Sequence, residues 1–216
     1  MIIIYNLFSL YIIDIYSHLN INILIWFDYL IALWYIVYII IILNKKTGGM
    51  TMLPEKLTNA LNDQFNNELQ AAHAYTAMAA YFSKKGYHGF ANFYLIQSRE
   101  EHYHAMKFYH YLVTMDEKPV LQALTEPKNH FVSALDVLES SLVQEKSVTS
   151  NIYALVTLAD ELQEHATLSF LDWFIEEQME EEKSFRDIIA RVRAIEEGGE
   201  YFLKMDDEFA QRKLED

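Results

Sequence analysis

The chain has no cysteine in its 216 residues. Disulfides, thiolate metal sites and cysteine nucleophiles are therefore excluded, any metal must sit on oxygen and nitrogen ligands, and a reducing compartment is expected. Proline is scarce at 3 residues and glycine at 6, so the places where a helix must break are few. Positive charge is short as well. With 17 Lys and Arg against 31 Asp and Glu, the net charge is -14, which argues against nucleic acid as a partner and suits a protein that attracts cations.

Hydrophobic residues make up 52% of the chain, enough for a substantial core, but they are unevenly spread. From Met1 to Leu43 nearly everything is Ile, Tyr, Leu, Asn or Phe, whereas the chain after Met52 is charged and helical in pattern. Asp14 and Asp28 cancel Lys45 and Lys46, which leaves the whole net charge on the later part. Ile21 to Leu43 is long enough to span a bilayer and is followed by lysines, the pattern of a membrane anchor, although Asp28 counts against it. It lacks the basic start and small-residue cleavage site of a signal peptide. The favoured expectation is a mis-assigned start. These are the residues that AT-rich DNA encodes, and Lys46-Thr47-Gly48-Gly49 can be encoded with a purine-rich ribosome-binding sequence just before Met50 and Met52. Residues 1–49 are accordingly expected to lie outside the functional domain, which is expected to cover 52–216.

Four long segments of helical periodicity follow: about Pro54 to Ser83, His88 to Thr114, Phe131 to Leu158, and Glu161 to Ile195, with a short tail from Glu200 to Lys213 that could form a fifth helix. Residues 115–130 hold Pro119 and Pro127 and are too long for a simple helical hairpin. No segment alternates as a strand does. The expected fold is all-α: two helical hairpins joined by one long crossover in a four-helix bundle, with a short fifth helix.

Each apolar stripe has polar intruders. Glu68 interrupts the first, Glu101 and His104 the second, Glu145 the third, and Gln178 and Glu181 the fourth. Glu101 and His104 are three residues apart, so both leave one face of one helix, in the row Gln97, Glu101, His104, Phe108 and Leu112. All of these intruders lie near the middle of their helices, and a midpoint is at the same level whichever way a helix runs. Four carboxylates buried at one level repel unless protonated or bound to metal, and with one imidazole they suit two divalent ions. His102 and His110 fall off the stripe and, with His73, His88, His130 and His165, read as exposed or interface residues.

Several motifs make the part after Met52 resemble the bacterial non-haem ferritins. They are Asn67-Glu68-Leu69 with Tyr75 after it; Arg99-Glu100-Glu101-His102-Tyr103-His104; Gln144-Glu145; and the run from Phe170-Leu171-Asp172-Trp173 to Gln178-Met179-Glu180-Glu181-Glu182. The resemblance implies a di-iron centre in which Glu68, Glu101 and His104 hold one iron and Glu101 bridges to a second on Glu145 and Glu181, with Gln178 lining the site. It implies a third iron position on Glu100, Glu177 and Glu180 that shares Glu181. Tyr75 resembles the family's tyrosine beside the centre, a candidate electron donor; it reads equally well as a core tyrosine. Trp173 reads as packing.

No second Glu-x-x-His occurs on the fourth helix, unlike in bacterioferritins and rubrerythrins, so the two iron positions are unequal. His102 stands where bacterioferritins have the haem-ligating Met, and haem is not expected. The function implied is iron storage: a ferroxidase that oxidises Fe(II) with O2 or hydrogen peroxide and deposits ferric mineral inside a homo-oligomeric shell, by resemblance of twenty-four subunits, in the cytoplasm. A hydrophobic span on every subunit conflicts with such a shell, so no membrane is expected as a partner. The alternative is a di-iron or di-manganese oxidoreductase of the same fold, peroxidase-like, that keeps its metals.

Overall fold

The computed structural model describes residues 31–39 and 53–214. The chain divides into two compact units, Met1–Thr51 and Met52–Asp216. In the first, residues 31–39 are helical and exposed. The rest of the hydrophobic segment and the junction at Lys46 to Met52, on which the expectation of a mis-assigned start rests, lie outside the described residues. Among the described residues no helix is long and apolar enough to cross a membrane.

The second unit is all-helical: α1 (Glu55–Lys85), α2 (His88–Thr114), α3 (Ala134–Glu161), α4 (His165–Arg193) and the short α5 (Glu200–Ala210). Helix α1 packs on α2, α3 on α4, α1 on α3, and α5 against α2. Two tight hairpins therefore form, and the long segment between α2 and α3 joins them, the arrangement expected from the two prolines.

The ends differ from the periodicity by a few residues, and caps explain why. Helix α3 begins at Ala134, not Phe131, because the Ser133 hydroxyl accepts from the Asp136 N–H at 3.1 Å while Asp136 accepts from the Val132 N–H at 3.0 Å. Helix α1 runs on to Lys85 because Gly86 adopts φ 83°, which lets the Tyr87 N–H reach the Phe82 carbonyl at 3.1 Å. At the other hairpin Gln163 takes the left-handed conformation, φ 54°, and Glu164 N–H reaches Ala159 O at 2.8 Å. That closure carries α3 to Glu161 and delays α4 to His165.

The crossover is strapped along one face of α1 by side-chain amides one turn apart. Asn62 donates to Val120 O at 3.0 Å and accepts from Val120 N–H at 2.7 Å, Asn66 accepts from Gln122 N–H at 2.8 Å, and Gln70 accepts from Thr125 N–H at 2.8 Å. A segment with no sheet neighbour thus has the N–H groups of Val120, Gln122 and Thr125 and the carbonyl of Val120 satisfied by side chains.

Two apolar clusters form the core. One gathers Tyr75, Phe82, Phe90, Tyr94, Leu138 and Phe185 with the α5 residues Phe202 and Phe209; the other gathers Leu57, Leu61, Phe65, Phe108, Ile152 and Phe174. On every long helix the polar intruders fall in sequence between the two clusters. The bundle core is apolar towards both ends and polar in the middle.

Gly89 fixes α5 against α2, since a Cβ there would lie 1.6 Å from the Asp206 carbonyl oxygen. Backbone cannot yield to a side chain as a rotamer can. Gly89→Ala is expected to cost about 3 kcal/mol, seen as a lower melting temperature together with faster tryptic cleavage at Lys204 in a loosened α5.

Candidate metal centre

Every intruder is buried: Glu68 and Glu101 are 1% exposed, His104 and Gln178 3%, Glu145 0% and Glu181 8%. The apolar stripes carry them inward, because each stands where a Leu or Phe would stand on its own helix. Glu68, Glu101 and His104 offer ligand atoms that all lie within 4.8 Å of one another, and they are the one such group of three or more metal-ligating residues among the described residues. The His104 Nδ1 lies 3.5 Å from Glu101 Oε2. Trp173 meets the imidazole edge-on at 5.3 Å and has the Lys107 ammonium 4.0 Å from its own ring centroid, so it packs against His104.

The hydrogen bonds are unevenly shared among the acids. Gln64 donates to Glu68 Oε1 at 2.9 Å, but Glu68 Oε2 and Glu101 Oε2 are buried with no hydrogen-bond partner at all. A carboxylate oxygen taken out of water without a partner costs several kcal/mol on average. A proton shared between the Glu68 and Glu101 carboxyls, or a cation between them and His104, removes that cost, and the donor set of two carboxylates and an imidazole fits a hard-to-borderline divalent ion such as Fe(II).

The second pair of acids is occupied. Glu145 accepts from the Tyr75 hydroxyl and, at 3.1 Å, from Gln178 Nε2; Glu181 is held by Gln97 Nε2 at 3.1 and 3.0 Å to its two oxygens. Tyr75 is fully buried and in direct contact with Glu145. Burial pushes the Glu145 carboxyl up to about 7, and burial followed by the charge of Glu145 pushes Glu181 up to about 8. Glu68 and Glu101 are raised well above the ordinary carboxylate range, by burial first and then by the neighbouring acids, Glu101 for Glu68 and Glu145 for Glu101. All four shifts favour the neutral, protonated acids while no cation is bound.

The residues expected at a third position are not gathered around one point. Glu177 Oε1 lies 3.8 Å from His104 Nε2, Glu180 is exposed, and Glu100 is paired with Arg212 at 2.8 Å. The periodicity did not reveal Gln64 and Gln97 as supports of the acids, although Gln97 stands in the stripe row; nor did it reveal Arg212. His73, His88, His102, His110, His130 and His165 are all exposed, as the stripe predicts.

Residues 58–195, well over half of the chain, match the family described as the ferritin-like domain. The bacterial non-heme ferritin of Staphylococcus epidermidis strain RP62A is 46% identical over 144 residues, 65% of this chain and 87% of that protein. That of Staphylococcus saprophyticus is 41% identical over 165 residues, 76% of this chain and 99% of that protein. Among solved structures, a closed form of the Archaeoglobus fulgidus ferritin engineered by mutagenesis is 36% identical and superposes with a TM-score of 0.74, covering 76% of this chain and 99% of its own. The open-pore ferritin of the same archaeon also superposes with a TM-score of 0.74, over 75% of this chain. Helix order, the polar middle layer and these likenesses agree: the chain belongs to the ferritin family.

Proposed function

We propose that residues 52–216 form an iron-storage ferroxidase that takes up Fe(II), oxidises it at the Glu68–Glu101–His104 centre and passes it to a ferric mineral inside a homo-oligomeric shell. The observation that carries this reading is the pair of buried, unpartnered oxygens of Glu68 and Glu101 beside His104. Names of the relatives add the cargo: ferritins store iron. The shell of twenty-four subunits and the cytoplasmic location belong to the same proposal, as does the absence of haem, with exposed His102 beside Glu101 in place of a thioether ligand.

Iron enters this reading as substrate. In this reading Glu68, Glu101 and His104 hold the first Fe(II), and Glu101 shares a second with Glu145 and Glu181, whose protons leave as the cation arrives. Carboxylates and one imidazole favour Fe(III) over Fe(II), so two ions held side by side can each give an electron to O2 or hydrogen peroxide. Tyr75, bonded to Glu145, is read as an electron donor that can stand in for one of the two irons, its hydroxyl proton passing to Glu145, and Gln178 orients Glu145 through its amide. Glu100, Glu177 and Glu180 would take a third ion on its way out of the centre. Because Glu145 and Glu181 form no second Glu-x-x-His, the second ion is held less firmly than the first, which suits transit.

Adding Fe(II) in air to the assembled protein tests this. Many irons per subunit retained as soluble ferric mineral are expected, with elution as a large shell in size exclusion. About two irons per subunit, firmly kept, would instead support the oxidoreductase with resident metals, and a monomer or dimer would remove storage.

A further inference from the structure

The last described residues carry a cation to the edge of the centre by a fixed route. Helix α5 lies across the start of α2, where Asp206 Oδ1 accepts from the Phe90 N–H at 2.8 Å and Phe202 stacks on Phe90 at 4.7 Å. Asn92 then clamps the end of α5, donating to Phe209 O at 3.0 Å and to Arg212 O at 3.1 Å. Held at its own carbonyl, Arg212 lays its guanidinium 4.5 Å over the ring of Phe93. From there one end of the guanidinium forks onto Glu100, at 3.1 and 2.8 Å to the two carboxylate oxygens. The other end donates to Gln97 Oε1, and the Nε2 of the same Gln97 side chain holds both oxygens of Glu181.

One side chain thus engages a residue expected to hold the third ion and, through an amide, a residue expected to hold the second. Glu100 is half-buried, with Glu177 and His104 as its other titratable neighbours. A carboxylate there needs a counter-charge, and the guanidinium supplies it from within the chain.

We propose that Arg212 is a tethered cation that competes with a divalent ion for Glu100 and, through Gln97, keeps Glu181 in place while the position is empty of metal. It is a positioning residue. Metal reaching Glu100 must displace the guanidinium, and the displaced arm frees Gln97 to release Glu181. The proposal rests on the reading above for the roles of Glu100 and Glu181, and it adds that the occupancy of the outer position is set by the C-terminal segment.

Zn(II), which does not change oxidation state, is the probe. Calorimetric titration of the assembled full chain is compared with that of Arg212→Gln, which removes the charge but keeps a hydrogen-bonding amide, and of Arg212→Lys, which keeps the charge. Removal of a competing charge at contact distance is expected to tighten the weakest class of Zn(II) sites by at least about tenfold in Arg212→Gln, with Arg212→Lys close to the unaltered chain. Adding Glu100→Gln to Arg212→Gln is expected to abolish the gain. General loosening would weaken binding, so a gain is not something structural damage produces. An Arg212→Gln isotherm that superimposes on that of the unaltered chain, a loss of binding, or a gain that survives Glu100→Gln would each overturn the proposal. Failure of the parent reading is seen separately, as an unaltered chain that stores no iron, whatever the Zn(II) isotherms give.

Discussion

Replacing Glu101 by alanine is expected to slow Fe(II) oxidation in air by more than about a hundredfold, because losing even an outer support of a metal ligand costs about 10–100-fold and Glu101 is proposed as a ligand to both ions. Its position leaves no substitute. Glu101 is 1% exposed, one of its oxygens has no hydrogen-bond partner, and it lies between the His104 imidazole and the Glu68 carboxylate in the one metal-sized cluster among the described residues. The same burial predicts that the metal-free variant stays folded. Removing a buried acid without a partner takes away a desolvation cost, while the two apolar clusters on either side are untouched. Stopped-flow absorbance of ferric iron and thermal melting give the two readouts. In the unaltered chain a divalent ion at a hundred times its dissociation constant adds about 2.7 kcal/mol to stability; in Glu101→Ala most of that increment is expected to vanish. Oxidation at an undiminished rate in the variant would remove the site assignment, and a collapsed far-ultraviolet helix signal would show the acid to be structural.

How far the centre could be read from the residues depends on the kind of signal each one leaves. Glu68, Glu101, His104, Glu145, Gln178 and Glu181 stood out because a polar side chain on an apolar stripe contradicts its surroundings, and all of them are buried. The supporting amides leave no such mark. Gln64 is an ordinary helix former buried against Glu68, and Gln97 stands in the stripe row with nothing in the sequence to mark the contact of its amide with Glu181. Arg212 is further still from legibility, since 112 residues separate it from Glu100 and nothing periodic surrounds it. Helix ends were predicted to within a few residues, and the discrepancies trace to Ser133 as a cap and to Gln163 taking a positive φ, a conformation a residue of that type rarely adopts. The acids of the expected third position, Glu100, Glu177 and Glu180, lie on adjacent helix faces where periodicity cannot distinguish a ligand from a solvated charge. Pattern reveals what violates a core; it is silent on what braces the violation.

The metal-free protein is expected to lose stability as pH rises from about 5 to 8.5. Glu145 and Glu181 titrate in the fold at about 7 and about 8, against an ordinary value of 4.5 in an open chain. Between those limits the folded state holds protons that the unfolded state has released, so the slope of stability with pH is negative, at about 1.4 kcal/mol per pH unit for each group fully in this regime. The contribution is complete below the ordinary carboxylate value and gone once pH passes the folded one. Asp136 and Glu208, which Lys128 and Arg191 hold below the ordinary range, act in the opposite sense, but only at more acid pH, and leave this window unchanged. Calorimetric melting in the presence of a chelator is the measurement, with Glu145→Gln/Glu181→Gln as the comparison in which the share of the slope due to these two acids should disappear, the rest belonging to Glu68 and Glu101, which burial raises in the same sense. Metal reverses the sign. Since a divalent ion binds the deprotonated carboxylates, its stabilising effect should grow over the same pH range and its uptake should release protons into an unbuffered solution. A melting temperature that stays level from pH 5 to 8.5 without metal would mean that these acids are charged in the empty fold. The centre would then be a preformed cage that binds iron without proton release, and the coupling proposed between iron arrival and proton loss from Glu145 and Glu181 would be wrong.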